Sequence, residues 1–216
     1  MNTSTARYQM VNQQIRTWDV TDEGILDLLA RLPRDDFAPA AYRHLAYADC
    51  AVPLGHGELM MVPSVEGRLL QALALDAQDV VLEVGTGSGY LSACLAALAS
   101  RVVTVDIHDD FVSAARERFA RHAIDNVAAS VMDACRELPD GRFDAIAVTG
   151  SLATLDQRYI DALRPGGRLF IVTGEHPVME AQLVVRGNDD DWRATSLFET
   201  SLRRLQNAPE PSGFSF

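Results

Sequence analysis

Residues 81–90 read VLEVGTGSGY, and no other stretch of the chain leaves its fold so little freedom. An apolar run, Val80, Val81, Leu82 and Val84, passes directly into glycines at alternate positions, Gly85, Gly87 and Gly89. Residues 91–99 then carry a helix-like apolar pattern. A buried strand, a tight turn and a helix in that order let side-chain-free backbone approach a nucleotide-like ligand. The dinucleotide fingerprint spaces its glycines GxGxxG. Here the spacing is GxGxG, with an acidic residue, Glu83, inside the strand end, and the shorter spacing counts against a nicotinamide site.

The pattern continues as alternating strands and helices. Strands are expected at 80–84, 101–106, 127–132, 143–149 and 168–172, and helices at 89–98, 109–122 and 153–163. Asp109 or Asp110 is expected to cap the second of these helices. This order implies an α/β fold with a parallel sheet and right-handed crossovers. Residues 182–186 and 194–198 flank a polar turn at 187–191 and read as a terminal antiparallel hairpin. The aspartates at 189–191 lack the ligand spacing of a calcium loop and read as solvated. Ahead of the sheet, residues 1–32 read as helices. Ala6, Met10 and Gln14 share a stripe with Val11 and Ile15, and Asp22 is placed to cap a helix carrying Ile25, Leu26, Leu28 and Leu29 that Pro33 stops. Residues 33–63 are irregular, and Ser64 is the expected N-cap of a helix carrying Val65, Leu69, Leu70 and Leu73. Residues 1–63 are therefore assigned to an N-terminal helical and loop extension, and residues 64–216 to one compact core.

Composition narrows the function. The 216 residues suffice for one sizeable α/β domain with a modest extension. The formal net charge is −11, and all 19 basic residues are arginine. A duplex of nucleic acid needs clustered cations to meet its phosphates, so none is expected as partner. No run of about 18 apolar residues exists, so no membrane span is expected. The polar first residues lack the apolar centre of a secretory signal. Cys50, Cys94 and Cys135 are dispersed, with no CxxC pair, which points to reduced thiols in a cytoplasmic protein rather than a disulfide framework or a metal site.

In an open α/β sheet, ligands sit at the carboxyl ends of the strands. Asp106 ends the second strand, where a carboxylate can accept from two ribose hydroxyls. Asp133 ends the third and can meet an adenine amino group, with Met132 or Ala134 against the ring. Glu83 can pair with an ammonium or orient the glycine loop. The expected cofactor contacts are Glu83, Gly85, Thr86, Gly87, Ser88, Gly89, Asp106, Ile107, Asp133, Ala134 and Thr149. Each has a structural explanation when taken singly, since glycine turns serve helix packing and aspartates cap helices. Carboxylates on successive strand ends beside one glycine loop point to a ligand site.

The GxGxG block with its acidic residue is similar to the first motif of S-adenosylmethionine-dependent methyltransferases, and most of the chain resembles the protein-L-isoaspartate O-methyltransferase family. The resemblance runs through MVNQQIR (10–16), DEGILDLLARLPRDDFAP (22–39), AYADCAVPLGHG (46–57), VLEVGTGSGY (81–90), FDAIAVTGS (143–151) and LRPGGRLFIVTG (163–174), in the family's order. The glycine block and LRPGGRL occur in many methyltransferases, whereas the AYAD–PLGHG stretch is more specific to this family. The resemblance implies a Rossmann-like methyltransferase fold, with a seven-stranded, mostly parallel sheet and an antiparallel C-terminal end. It also implies S-adenosyl-L-methionine as cofactor, S-adenosyl-L-homocysteine as product, and isoaspartyl residues in damaged peptides or proteins as methyl acceptor.

One block departs from the family. Its glycine is usually followed by GQTIS and a proline, with hydroxyls lying between cofactor and substrate. Here Glu58 stands for the Gln, Leu59 for the Thr and Met61 for the key Ser, ahead of Pro63. An isoaspartyl carboxylate has a reference pKa of about 4 and needs no general base. It must be held in line with the methyl group, by positioning and electrostatics. Met61 cannot donate a hydrogen bond. An ionised Glu58 at roughly 5 Å, with an effective dielectric near 20, would oppose the acceptor by about 3 kcal/mol. Met61, Glu58 and His56 are the candidates on the acceptor side, although His56 in its GHG turn suits a turn residue better than a base. Met60 and Met61 suit packing, or an apolar wall for a different acceptor. The alternatives are thus a small-molecule methyltransferase on the same scaffold or a cofactor-binding module without catalysis.

Overall fold

In a computed structural model, which describes residues 3–188 and 191–209, helix α1 (Thr3–Gln9) runs on through a π-helical turn over Met10–Ile15 and a 3-10 turn over Arg16–Trp18. Met10, Val11 and Ile15 are buried along this run. Helix α2 (Glu23–Arg31) starts where Asp22 Oδ1 accepts from the Ile25 N–H at 3.1 Å, and it ends at Leu32 before Pro33, both as the sequence predicts. A short hairpin follows, β1 (Val52–Gly55) and β2 (Glu58–Met60), turning through His56 and Gly57 at positive φ. Helix α3 (Pro63–Leu73) is capped by Val62 rather than Ser64. Pro63 takes the first helical position, where its missing N–H is no loss. Ser64 is thereby drawn into the first turn, buried, with its hydroxyl 3.5 Å from Asp49.

The sheet follows in chain order: β3 (Val80–Val84), helix α4 (Tyr90–Leu98), β4 (Arg101–Asp106), helix α5 (Asp109–Arg121), β5 (Val127–Val131) and β6 (Phe143–Leu152), then helix α6 (Gln157–Ala162), β7 (Leu163–Glu175), β8 (Val178–Arg186) and β9 (Trp192–Glu199). Its spatial order is β5-β4-β3-β6-β7-β8-β9. Strands β3 to β7 pair in parallel, and β8 runs antiparallel to both neighbours. The chain thus builds outward from β3 to β5 and returns to the other side of β3 at β6. That reversal opens a crevice at the carboxyl ends of β3, β4 and β6.

Several boundaries differ from expectation. The helix expected over 153–163 is confined to Gln157–Ala162, because β6 continues to Leu152 and Asp156 caps the helix through the Arg158 N–H. The strand expected at 168–172 extends over Leu163–Glu175, with an irregular register where its Pro-Gly-Gly lies. Helix α5 starts at His108 without a side-chain cap. Asp109 and Asp110 occupy its first turn instead, where the helix dipole favours negative charge. The terminal hairpin forms as expected and is closed by the Gly187 N–H on the Asp191 carbonyl; Asp189 and Asp190 lie outside the described residues.

Alternation along the strands divides the core in two. In β6, Ala145 and Ala147 face the cluster that contains Met10, Ile15, Phe37, Leu69 and Cys94, whereas Ile146 and Val148 face the one that contains Leu82, Tyr159 and Leu169. The N-terminal segments therefore share a core with α3, α4 and α5 on one face of the sheet. Among the described residues, no helix is long and apolar enough to cross a membrane.

Candidate active site

The glycine loop after β3 borders a cavity lined from the strand ends, the β1–β2 hairpin, α3 and the segment after β9. Its geometry depends on close approach. Gly85 has φ 97°, and a Cβ there would lie 2.1 Å from Thr149 Oγ1. That hydroxyl donates to the carbonyls of Val84 and Gly85 at 2.9 and 3.0 Å, which fastens the loop to β6.

Glu83 is fully buried beneath the loop. Its Oε2 accepts from the Thr104 hydroxyl at 2.6 Å and from the Ser92 hydroxyl. Its Oε1 is buried and has no hydrogen-bond partner among the described residues. Burial pushes this carboxyl up to about 8; the two hydroxyls oppose the shift, and Asp106 and Glu66 add to it. Thr86 Oγ1 lies 2.8 Å from Thr104 Oγ1, so its side chain joins the same buried network. The Ser88 hydroxyl accepts from the Tyr90 N–H. Thr86 therefore reaches the cavity with its hydroxyl tied to the buried network, whereas the Ser88 hydroxyl accepts from Tyr90 and keeps its own O–H to donate.

Asp106 already accepts one backbone donor on each carboxylate oxygen. Its Oδ2 accepts from the Gly87 N–H at 2.9 Å and its Oδ1 from the His108 N–H at 3.0 Å. It holds two loops together and keeps one further lone pair on each oxygen for a ligand. Burial raises its pKa, and the two backbone donors oppose that shift. Asp133 Oδ1 accepts from the Cys135 N–H, and its Oδ2 meets Asn207 Nδ2 at 2.9 Å and Arg136 Nε at 3.1 Å. It caps a turn and ties that turn to the C-terminal segment. Ile107 and Ala134 line the cavity beside these two carboxylates.

Two expected residues do not line it. Gly89 caps α4 at φ 80°, where a Cβ would meet Ala115 and Phe119 at 3.0–3.1 Å, so its role is packing. His56 sits at the hairpin turn with φ 51°, stacked on His108 at 4.1 Å, with Nε2 3.0 Å from Asp110 Oδ2. It is a turn residue on an outer surface.

On the acceptor side, Met61 lines the cavity and is 7 % exposed. Its carbonyl accepts from Arg34 Nη2. Arg34 is fully buried and donates through Nε to Glu66 Oε2 at 2.9 Å and through Nη1 to the Ala46 carbonyl. Burial raises the Glu66 pKa against the pull of Arg34. Glu58 also lines the cavity, but its Oε1 accepts from Gln206 Nε2 at 2.8 Å, and Gln206 in turn touches His108 Nε2. Its charge therefore sits with His108 and Asp106.

Sequence reasoning missed two groups. The Arg34–Glu66 pair was discoverable, because Glu66 interrupts the apolar stripe of α3 beside Val65, Leu69 and Leu70. The segment after β9 had no motif, yet Ser201, Leu202, Arg203, Arg204 and Gln206 all line the cavity. Ser151 holds it: its N–H donates to the Arg203 carbonyl at 2.8 Å, its carbonyl accepts from Leu205, and its hydroxyl donates to Leu202. Gly150 makes room, since a Cβ there would lie 2.5 Å from Leu205 Cδ2.

The lining suits a cationic ligand. Glu83, Asp106 and Asp133 come from the ends of three adjacent strands, and the Glu83 oxygen without a donor is a place for an ammonium. S-adenosylmethionine, which carries an ammonium and a sulfonium, fits that chemistry.

Comparison with known proteins agrees in kind. The profile of the family described as Protein-L-isoaspartate(D-aspartate) O-methyltransferase (PCMT) matches residues 5–202. The chain is 35 % identical over 181 residues to a protein-L-isoaspartate O-methyltransferase of Methanoculleus marisnigri, covering 83 % of this chain and 82 % of that one. It is 39 % identical over 162 residues to one of Azorhizobium caulinodans, covering 74 % of each. Among solved structures, it matches a Plasmodium falciparum protein described as a protein-L-isoaspartate O-methyltransferase in complex with S-adenosyl-L-homocysteine. The TM-score is 0.81 at 21 % identity, over 93 % of this chain and 98 % of that one. At that identity the structural likeness speaks for the fold.

Proposed function

The chain belongs to the protein-L-isoaspartate O-methyltransferase family, and from that premise we propose that it methylates the carboxylate of isoaspartyl residues in peptides or proteins. It is an S-adenosyl-L-methionine-dependent methyltransferase. The observation that carries the reading is the meeting of Glu83, Asp106 and Asp133 beside the glycine loop in one cavity. In this reading Asp106 holds the ribose, Glu83 Oε1 takes the ammonium, and Asp133, Met132 and Ala134 border the adenine.

When bound, the cofactor supplies an electrophilic methyl group on a positively charged sulfur and leaves as S-adenosyl-L-homocysteine. The acceptor carboxylate is ionised near neutral pH, so no residue needs to remove a proton. The chain must align the carboxylate oxygen with the methyl group and keep water away. Transfer of that methyl group to the carboxylate would cancel opposite charges. An apolar wall disfavours the separated charges of the reactants more than the dispersed charge of the transition state. Leu59, Met60 and Met61 line the cavity and provide such a wall.

The same wall favours a second reading, in which the acceptor is a small apolar molecule. The net charge of −11 supports an acceptor other than nucleic acid. The three unpaired cysteines support a cytoplasmic setting. A radiolabelled-methyl assay on paired isoaspartyl and aspartyl peptides separates the readings. Label on the isoaspartyl peptide alone is expected. Label on neither peptide, with transfer to a small acceptor, would establish the second reading instead.

A further inference from the structure

We propose that the Arg203 guanidinium anchors the acceptor's carboxylate, supplying the hydrogen-bond donors that Met61 and Leu59 cannot. The inference rests on the isoaspartyl reading above and names the residue that recognises the acceptor.

The first ground is the placement of charge. The strand ends bring carboxylates to the cavity, and the two arginines that line it are Arg203 and Arg204, from the segment held by Ser151. A second groove adjoins the cavity and shares Leu59, Ser201, Leu202, Arg203 and Arg204 with it. None of the strand-end carboxylates lines that groove. It carries two guanidiniums against one carboxylate, Glu175, a balance opposite to the net charge of the whole chain. The acidic end of the cavity suits a cation, and the mouth toward the groove suits an anion.

The second ground is that Arg203 has its donors to spare. Its side chain makes no hydrogen bond or ion pair among the described residues. Arg204 by contrast donates to the Pro209 carbonyl. The backbone of Arg203 is nevertheless fixed, because its carbonyl accepts from the Ser151 N–H on β6. A guanidinium has five N–H donors in a planar fork that matches a carboxylate. Here one such fork stands on an anchored backbone, in a residue that lines the same cavity and groove as Leu59.

The third ground is the chemistry. A carboxylate brought against Met61 and Leu59 loses water and gains no donor from them. One oxygen held by Arg203 satisfies that need and leaves the other to attack the methyl group. The anchor acts on the bound acceptor and on the transition state alike, so its loss appears in KM more than in kcat.

Initial rates of the purified full-length protein on paired isoaspartyl and aspartyl peptides test this. Arg203→Gln should raise KM for the isoaspartyl peptide by about tenfold to a hundredfold, the range for a charge-assisted pair. It should leave kcat and the calorimetric dissociation constant for S-adenosyl-L-homocysteine within about twofold of wild type. Arg203→Lys should recover part of the loss. Added salt should raise KM of the wild type and not of Arg203→Gln. An isoaspartyl KM for Arg203→Gln within about twofold of wild type would overturn the anchor while leaving the isoaspartyl reading intact. A wild type that labels neither peptide would remove that reading, and the anchor with it.

Discussion

Among single side chains, Glu83 carries the sharpest consequence. Buried, with one oxygen bonded and the other without a donor, it is pushed up to about 8 and holds its proton at neutral pH. A cation beside Oε1 favours the ionised form. Cofactor binding should therefore tighten as pH rises toward 8 and release up to one proton. Calorimetry in buffers of different ionisation enthalpy measures both, and a pH-independent affinity without proton release would remove Glu83 from the ammonium site. The shift also bears on stability. The folded value lies above the ordinary 4.5, so the unfolded chain ionises first, and this group's contribution to stability declines as pH climbs from 4.5 toward 8. That Glu83 and Asp106 border one cavity was legible, because acids on successive strand ends beside a glycine loop converge there. Their partners were not. Ser92, Thr104 and the Gly87 N–H reach them only through the packing of α4 and β4 against β3 and its loop. His56 is the turn residue that its GHG motif suggests, and the direction it faces is set by Asp110 and His108 on another element.

Between elements, the Arg34–Glu66 pair binds the N-terminal segments to α3, whose Glu66 lines the cavity. The guanidinium also meets the carbonyls of Ala46 and Met61 and lies 5.4 Å from the Tyr90 ring. Arg34→Met leaves Glu66 buried without its partner and should cost about 3–5 kcal/mol. Adding Glu66→Leu should restore much of that stability, because a well-packed apolar pair can match a buried ion pair. Urea unfolding of the two variants reads both effects, and a double variant no more stable than Arg34→Met would refute the account. Helix α2 was predictable in both its ends because its signals, Asp22 and Pro33, lie next to it in sequence. Strand β6 was read too short because its last residues, Ser151 and Leu152, pair with Val172 and Thr173 of β7 beyond a break in register, and Ser151 also bridges Arg204 in the tail. Ser64 failed as a cap because Pro63 competes for the helix start, and a proline at the first position outweighs a serine one residue later.

Across the whole molecule, strand order and chemistry converge at one edge of the sheet. The reversal between β3 and β6 puts the glycine loop and the acidic strand ends in one crevice, and the hairpin and C-terminal segment cover it with apolar and cationic side chains. Most of this architecture was legible, because a buried parallel sheet writes apolar runs and glycine turns into the chain at regular intervals. The covering segment was not, since residues 200–206 form no regular element and their position follows from Gly150 and Ser151. That the strand-end carboxylates hold the cofactor is tested most directly by calorimetric titration of the wild type and Asp106→Ala with S-adenosyl-L-homocysteine. The account predicts saturable one-to-one binding to the wild type, and an affinity about tenfold to a hundredfold weaker once the charged acceptor and its hold on the Gly87 and His108 loops are gone. Equal affinities for the two proteins, or no binding to the wild type, would contradict it.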